Sequence, residues 1–211
     1  MMKSEKTQVI SFNWDLVLDQ LLFGISLDEA SYGFVDSARW DQPRLIKPHG
    51  SLNWYENSTG RHLKDDKCFD IPGTDPDTVR AFKFFRAPRS EKRTYMPLIV
   101  PPVFNKEFQG KLFQKLWQEA VLVLSSASEV RFLGYSLPVA DFHARFILRC
   151  GFHNQEHGAL LEDGSRAPPT GRAKVVIVDP SEPSRKRVEE AVGWTSDHFA
   201  MSVEKWVNTT R

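Results

Sequence analysis

Apolar and polar residues alternate along the chain in a way that predicts short strands separated by amphipathic helices. Strands are predicted where β-branched and aromatic residues cluster, at 7–12, 45–46, 96–103, 129–135, 174–178 and 199–203. Helices are predicted where apolar residues recur with helical spacing, at 15–23, 111–127, 141–150 and 183–192, followed by a helical or frayed tail. Strands that alternate with helices indicate the α/β class. We predict a Rossmann-like, mainly parallel sheet with helices on both faces.

Two tracts fall outside this pattern. Residues 55–95 begin with a segment rich in Asp, Gly and Pro, and we expect an excursion or small insertion outside the core. Residues 151–173 are rich in Gly, Pro, His and charge, and we expect a mobile loop. The helix before this loop, 141–150, is expected to hold Asp141 in its first turn and to present Phe142, Phe146 and Ile147 on one face. The length predicts one domain over 1–211, because domains commonly hold about 100 to 200 residues.

Composition narrows the classes of function. Hydrophobic residues make up 41% and charged residues 26% of the chain, as in ordinary globular proteins. With 28 basic and 27 acidic residues the formal charge is +1, so no global field attracts nucleic acid or an acidic membrane. No apolar run approaches the roughly 20 residues that span a bilayer, so we expect a cytoplasmic protein without a membrane partner. Two cysteines, Cys68 and Cys150, cannot by themselves complete a tetrahedral zinc site.

Two local clusters invite functional interpretations that we do not favour. Residues 79–93 carry six basic residues and one acid among phenylalanines, a pattern that can grip single-stranded nucleic acid. A strand with buried phenylalanines and solvated charges explains it better, so we do not expect a nucleic-acid partner. The second cluster could suggest a metal site, but its spacings match no recurrent zinc pattern. Its members are His143, Cys150, His153 and His157.

His49 lies in the most distinctive stretch of the chain, Lys47-Pro48-His49-Gly50-Ser51-Leu52-Asn53-Trp54. Imidazole exchanges a proton near neutral pH, which makes His49 a candidate general base. The alternative is a simple turn, because Pro48 fixes φ and Gly50 permits a positive φ. Taken alone, the octapeptide favours the turn, because most histidines are not catalytic and short motifs match by chance.

Polar residues also follow the first predicted strand, in the segment Ser11-Phe12-Asn13-Trp14-Asp15. Ligands of α/β sheets collect at the carboxyl ends of strands, so Ser11, Asn13 and Asp15 are candidate ligand contacts. Helix capping by Asn13 or Asp15 is the alternative, and the segment alone favours it.

Two later segments place polar groups at the ends of strands. Gly134-Tyr135-Ser136-Leu137-Pro138 breaks a strand and leads to Asp141 at the start of a helix. The backbone amides of such a turn can hold a phosphate or ribose hydroxyls. Val178-Asp179-Pro180 ends the next strand with a carboxylate, where dinucleotide folds often place an acid for a ribose.

Taken in order, these four segments resemble the sirtuin-like (SIR2-like) family, especially its zinc-free branch of bacterial NAD hydrolases in antiphage defence. The resemblance covers residues 7–182 by motif order. It implies that His49 is the catalytic histidine and that Asn13 lies beside the nicotinamide ribose and positions the attacking water. It also implies that Asp15 supports that loop, with Ser11 beside it, and that Gly134 and Ser136 line the adenosine side, with Asp179 near the adenine ribose. The implied reaction cleaves NAD to nicotinamide and ADP-ribose without zinc.

The chain also departs from the family pattern. A Gly-Ala-Gly-x-Ser segment that cradles the pyrophosphate is missing before residue 7, and with it the usual first strand of the sheet. We therefore expect either a fragment or truncated chain, or a chain that has lost the phosphate site. Its expected partners are NAD or a related nucleotide, and either a second copy of the chain or the missing N-terminal segment. Three functions remain, in order of preference. The first is an NAD hydrolase that is active once upstream sequence or a partner chain supplies the phosphate-binding segment. The second is a catalytically inactive nucleotide-sensing module, and the third is a nucleic-acid-binding protein.

Overall fold

The computed structural model describes residues 7–24, 27, 30–32, 43–57, 68–71, 79–82, 95–100, 111–161 and 163–210. The strands in these ranges are β1 Gln8–Ile10, β2 Arg44–Ile46, β3 Gly50–Asn57, β4 Cys68–Asp70, β5 Val79–Phe82, β6 Tyr95–Ile99, β7 Glu129–Leu133, β8 Lys174–Val178 and β9 Asp197–Phe199. The helices are α1 Val17–Phe23, α2 Lys111–Ser126, α3 Phe142–His157, α4 Glu182–Val192 and α5 Val203–Thr209, with a 3-10 turn at Ala30–Tyr32. None of the described helices combines the length and hydrophobicity that crossing a bilayer requires.

The chain forms two compact units. The first comprises residues 1–101 and 107–117, and the second comprises 102–106 and 118–211. Each unit has its own sheets and its own buried apolar side chains. The prediction that residues 1–211 form one domain stays a prediction, because it concerns how the units combine.

The first unit contains a parallel strand pair and an antiparallel sheet. Strands β1 and β2 are parallel, with Val9 opposite Leu45 and Ile10 opposite Ile46. Leu45 and Ile46 are buried, whereas the residues of β1 are only half-buried. The antiparallel sheet has the order β4-β5-β3-β6. Its edge strand β6 contains Pro97. Proline has no N–H to donate to a neighbouring strand, and an edge strand tolerates this because only one of its sides is paired.

The expectation that residues 55–95 lie outside the core is wrong for the described part of that tract. Tyr55, Ile71, Ala81 and Phe82 are buried. Strand β5 pairs with both β3 and β4, and these cross-strand contacts bury apolar residues that are scattered in the sequence. Of the basic segment 79–93, the structure describes only β5, where Ala81 and Phe82 are buried as in a core strand; the rest lies outside the described residues.

The second unit contains the parallel sheet β7-β8-β9 with helices α3, α4 and α5, and α2 runs from the first unit into the second. The predicted bounds of α2 and β8 agree with the structure to within a residue. Residues 129–133 of the predicted strand 129–135 form β7. The sixth predicted strand, 199–203, is largely wrong, because β9 ends at Phe199 and α5 begins at Val203. The helical tail is confirmed.

Helix α3 differs most from the prediction. It extends to His157, so the predicted loop 151–173 begins seven residues too early. Gly151 lies inside the helix, where a Cβ would approach the Leu124 Cβ to 2.4 Å, so the close packing against Leu124 requires glycine at this position. The predicted apolar face is also wrong: Phe142 and Phe146 are exposed, whereas Ile147 is buried. The buried face consists of Ala144, Ile147, Leu148, Gly151, Phe152 and Gln155.

The fold class is confirmed. The described strands include two parallel sheets, connected and followed by helices as in a Rossmann-like α/β fold. The antiparallel sheet of the first unit is an addition that the hydrophobic pattern did not predict. It matters for function because β3, its central strand, begins one residue after His49.

Candidate functional site

The parallel pair β1–β2 brings two distant segments together. The segment 11–15 follows the carboxyl end of β1, and the segment 47–49 follows the carboxyl end of β2. The Ser11 N–H donates to the Ile46 carbonyl at 2.9 Å, and the Leu52 N–H donates to the Trp14 carbonyl at 3.0 Å. The phenyl ring of Phe12 also meets the imidazole of His49 edge-on, with ring centroids 5.3 Å apart. The structure therefore brings these two motifs together at the carboxyl ends of adjacent strands.

His49 occupies a tight turn. The Gly50 N–H donates to the Lys47 carbonyl at 3.0 Å, which closes a four-residue turn, and Gly50 has a φ of +82°. The His49 carbonyl then accepts the Val100 N–H at 2.8 Å. The side chain of His49 is only 2% exposed. The turn interpretation is thus confirmed for the backbone, and it leaves the role of the imidazole open.

Asn13, Ser11 and Asp15 have different surroundings. Ser11 is buried, and its hydroxyl accepts the Asn13 N–H at 3.3 Å. The side chains of Asn13 and Asp15 are exposed. Asp15 Oδ1 accepts the Val17 N–H at 3.1 Å, a local bond two residues along the chain. The N-cap residue of α1 is Leu16, which has no side-chain cap, so neither Asn13 nor Asp15 caps the helix as the alternative predicts. Asn13 therefore offers an exposed amide on the segment that lies beside the His49 turn.

A buried ion pair beside these segments was not predicted from the sequence. The Lys47 ammonium and the Asp19 carboxylate approach to 3.0 Å, and their side chains are 1% and 0% exposed. Asp19 lies on α1, whose other residues are mostly apolar. A carboxylate buried on such a helix requires a partner, and Lys47 at the head of the histidine motif supplies the buried cation. The acidic residue on a mostly apolar helix was therefore the feature of the sequence that could have indicated the ion pair.

The ion pair belongs to a larger polar network. The Tyr32 hydroxyl donates to Asp19 Oδ1, and the Asn53 side-chain amide donates to the Tyr32 oxygen at 2.9 Å and to the Phe82 carbonyl at 3.0 Å. Burial raises the pKa of Tyr32 above its ordinary value, and the Asp19 charge adds to this shift. Burial lowers the pKa of Lys47, while the Asp19 carboxylate opposes that change. The network thus links α1 and the 3-10 turn to β3 and β5.

The three candidates Gly134, Ser136 and Asp179 lie in the second unit. Gly134 follows β7 with a φ of +62°, and its N–H donates to the Val178 carbonyl at 2.9 Å. Asp179 follows β8, and its Oδ1 accepts the Ser181 N–H at 2.8 Å. Gly134 and Asp179 therefore lie at the carboxyl ends of neighbouring parallel strands, as the sequence predicts. The Ser136 side chain is exposed.

Arg187 of α4 holds the backbone around Ser136. Its Nη2 donates to the Ser136 carbonyl at 2.9 Å, and its Nε donates to the Leu137 carbonyl at 3.0 Å. Leu137 has a φ of +43°, which is uncommon for a residue other than glycine. The sequence does not predict this role of Arg187, because nothing in the pattern of a helix indicates that its arginine bonds to a turn 50 residues earlier.

Among the residues that the structure describes, no group of three or more His, Cys, Asp or Glu side chains is placed to hold a metal ion. The rings of His153 and His157 on α3 lie tilted against each other, with their centroids 4.4 Å apart. Burial raises the pKa of the Cys150 thiol, which favours the protonated form that binds metals poorly.

The candidate residues thus form two groups. Ser11, Asn13, Asp15 and His49 lie together in the first unit, and Gly134, Ser136 and Asp179 lie together in the second. No family model matches the sequence, and neither the curated proteins nor the solved structures contain a significant match.

Proposed function

We propose that the chain is a sirtuin-like NAD-binding domain that hydrolyses NAD to nicotinamide and ADP-ribose. One observation carries this proposal: the Asn13 segment and the His49 turn meet at the carboxyl ends of two adjacent parallel strands. Ligands of α/β sheets bind at such ends. The choice of NAD as the ligand comes from the resemblance to the sirtuin-like family, which rests on the order and residue types of the four motifs.

The proposed reaction needs a water nucleophile and a base. The water oxygen bonds to the anomeric carbon of the nicotinamide ribose while the bond from that carbon to the pyridinium nitrogen breaks. The electron pair of the broken bond stays on the nitrogen, so nicotinamide leaves as a neutral molecule. The water proton passes to a base, for which an imidazole is suited near neutral pH. His49 is the proposed base, and the exposed Asn13 amide is proposed to orient the water.

The remaining assignments are part of the same proposal. Asp15 supports the Asn13 segment through its bond to the Val17 N–H, and the buried Ser11 hydroxyl accepts the Asn13 N–H. Assignment of Gly134, Ser136 and Asp179 to the adenosine side rests on the resemblance and stays a prediction. The absence of zinc from the reaction is likewise part of the proposal.

The test is nicotinamide release from NAD by the purified chain. His49→Ala and Asn13→Ala are expected to lower kcat by about a hundredfold or more, since positioned general bases contribute about 10² to 10⁴ in rate. Because His49 is buried, His49→Gln provides a second variant that keeps much of the side-chain volume. Thermal melting of each variant shows whether the fold is retained.

Two matched controls use the same residue types at exposed positions. His153→Ala on α3 and Asn208→Ala on α5 change exposed side chains and are expected to leave the rate unchanged. Equal rates for the wild-type chain, His49→Ala and His49→Gln would contradict the assignment of His49. Release of nicotinamide by none of the proteins would contradict the proposed reaction.

The burial of His49 favours a second candidate function, a nucleotide-sensing module that binds NAD without turnover. At 2% exposure the imidazole meets a substrate only after its neighbours move. Isothermal titration calorimetry with NAD distinguishes the two functions, since the sensing module binds NAD and releases no nicotinamide. The nucleic-acid alternative has no support in the described residues of 79–93.

A further inference from the structure

The Lys47 ammonium uses its full hydrogen-bonding capacity. A lysine ammonium carries three N–H donors and no acceptor. Its Nζ lies 2.5 Å from the Asp15 carbonyl oxygen, 3.0 Å from Asp19 Oδ2 and 2.9 Å from Ser51 Oγ. Each donor therefore has one acceptor, and the three acceptors come from three different parts of the first unit.

The placement of these acceptors brackets the proposed site. Asp15 lies two residues after Asn13, and Lys47 and Ser51 lie two residues on either side of His49. The ammonium thus ties the backbone of the Asn13 segment to both sides of the His49 turn. The Lys47 ammonium can stay charged in this buried position because the Asp19 carboxylate neutralises it. An unpaired ammonium there would be strongly disfavoured.

We infer that Lys47 is a positioning residue that holds the Asn13 segment and the His49 turn in register, with Asp19 as its counter-ion. The catalytic consequence of this inference rests on the proposed function. The three hydrogen bonds of Lys47 lie within the first unit and do not depend on that function. Positioning of reacting groups controls rate strongly, since small displacements lower the rate without changing the groups themselves.

The decisive variant replaces both charges. Lys47→Met and Asp19→Leu each leave one buried charge without its partner, so each single variant is expected to lower the melting temperature. The double variant Lys47→Met/Asp19→Leu removes both charges, and apolar replacement of a buried ion pair commonly restores stability. Its melting temperature is therefore expected to recover most of the loss.

The activity of the double variant is not expected to recover with its melting temperature. Methionine cannot donate to the Asp15 carbonyl or to Ser51, so kcat is expected to stay at least about tenfold below that of the wild-type chain, with KM changed by less than about threefold. Wild-type kcat in the double variant would overturn the inference, because the pair would then serve stability alone.

An exposed lysine–carboxylate pair supplies the matched control. Lys186 Nζ and Glu182 Oε1 lie 2.7 Å apart on α4, and both side chains are 65% exposed. Lys186→Met/Glu182→Leu is expected to leave kcat unchanged, because exposed pairs contribute little to stability and neither residue is assigned to the proposed site.

Amide hydrogen exchange separates this inference from the proposed function. The Leu52 N–H, which donates to Trp14, and the Gly50 N–H, which donates to Lys47, report on the tie without NAD. Both are expected to exchange at least about tenfold faster in the double variant, while the amides of β8 keep their protection. Unchanged exchange at Leu52 and Gly50 would overturn the inference whatever the activity. A wild-type chain that releases no nicotinamide would overturn the proposed function alone.

Discussion

Gly50 shows how a single residue fixes the geometry of the His49 turn. Its φ of +82° lies in the region that favours glycine, and a Cβ built there would lie 2.1 Å from the Leu98 carbonyl oxygen. Backbone conformation and close approach therefore both require glycine at this position. The sequence suggested only the first requirement, since Leu98 is 48 residues away.

We predict that Gly50→Ala lowers the free energy of unfolding by about 3 kcal/mol. About 1 to 2 kcal/mol comes from forcing alanine into a left-handed conformation. The remainder comes from the overlap with the Leu98 carbonyl, since overpacking typically costs about 1 to 3 kcal/mol. Denaturation by urea, compared at constant m-value, measures this difference.

Gly193 separates the two contributions. It ends α4 with a φ of +90°, and a Cβ there would meet nothing within 4 Å. Gly193→Ala is therefore expected to cost only the conformational part, about 1 kcal/mol. Equal losses in the two variants would show that the approach to Leu98 contributes nothing.

At the scale of elements, Asp141 joins the end of β7 to the start of α3. Its Oδ1 accepts the Ala144 N–H at 3.1 Å as the N-cap of α3, and its Oδ2 accepts the Tyr135 hydroxyl at 3.1 Å. The sequence placed Asp141 in the first turn, and the structure places it one residue before the helix. Burial raises the pKa of Tyr135 above its ordinary value, and the Asp141 charge adds to the shift.

This link predicts a loss of stability at alkaline pH. Folded Tyr135 keeps its proton above the pH of about 10 at which tyrosine in an unfolded chain ionises. The unfolded state then binds fewer protons than the folded state, so the free energy of unfolding falls as pH rises above about 10. The Tyr135 contribution reaches at most about 1.4 kcal/mol per pH unit.

Tyr135→Phe removes this dependence while retaining the ring. The free energy of unfolding of the variant minus that of the wild-type chain is expected to be constant below pH of about 9 and to rise above pH of about 10. Tyr32 and Tyr55 also have raised pKa values, but they are present in both proteins and cancel in the difference. A difference that stays constant up to pH of about 11 would contradict this prediction.

At the scale of the whole molecule, the second unit has a core of its own. The Phe152 ring lies 6.3 Å from the Phe132 ring and 5.1 Å from the Trp194 ring, measured between centroids. The fully buried Gln155 donates to the Leu124 carbonyl at 2.5 Å and the Ala127 carbonyl at 3.2 Å, and it accepts the Ala173 N–H at 2.7 Å. These contacts join α2, α3 and the start of β8.

We predict that a fragment of residues 111–211 folds by itself. Its expected signature is slow amide hydrogen exchange in β8 that matches the exchange of β8 in the full chain, because the neighbours of this strand, β7 and β9, are both retained. Gln155→Leu in the fragment is the control. It leaves the buried Ala173 N–H without its acceptor and removes one donor from the Leu124 and Ala127 carbonyls. An unsatisfied buried group costs about 1 to 3 kcal/mol, so this variant is expected to lower the protection strongly. An unprotected β8 in the unmodified fragment would contradict the prediction.

The sequence by itself determined the elements whose pattern is local. The apolar stripe fixed α2, the β-branched run fixed β8, and the order of strands and helices fixed the α/β class, because side-chain periodicity follows directly from helix and strand geometry. It also placed His49 and Asn13 in motifs at the ends of strands, where the structure finds them.

Tertiary structure alone decided how residues far apart in the chain meet. It buried Tyr55, Ile71, Ala81 and Phe82 in the tract 55–95. It also turned Phe142 and Phe146 outward and paired Lys47 with Asp19 across 28 residues. Hydrophobic pattern cannot supply these results, because cross-strand pairing and the compensation of a buried charge depend on long-range contacts that leave no periodic signal. Among these contacts, those of Lys47 join the segment that carries Asn13 to the turn that carries His49.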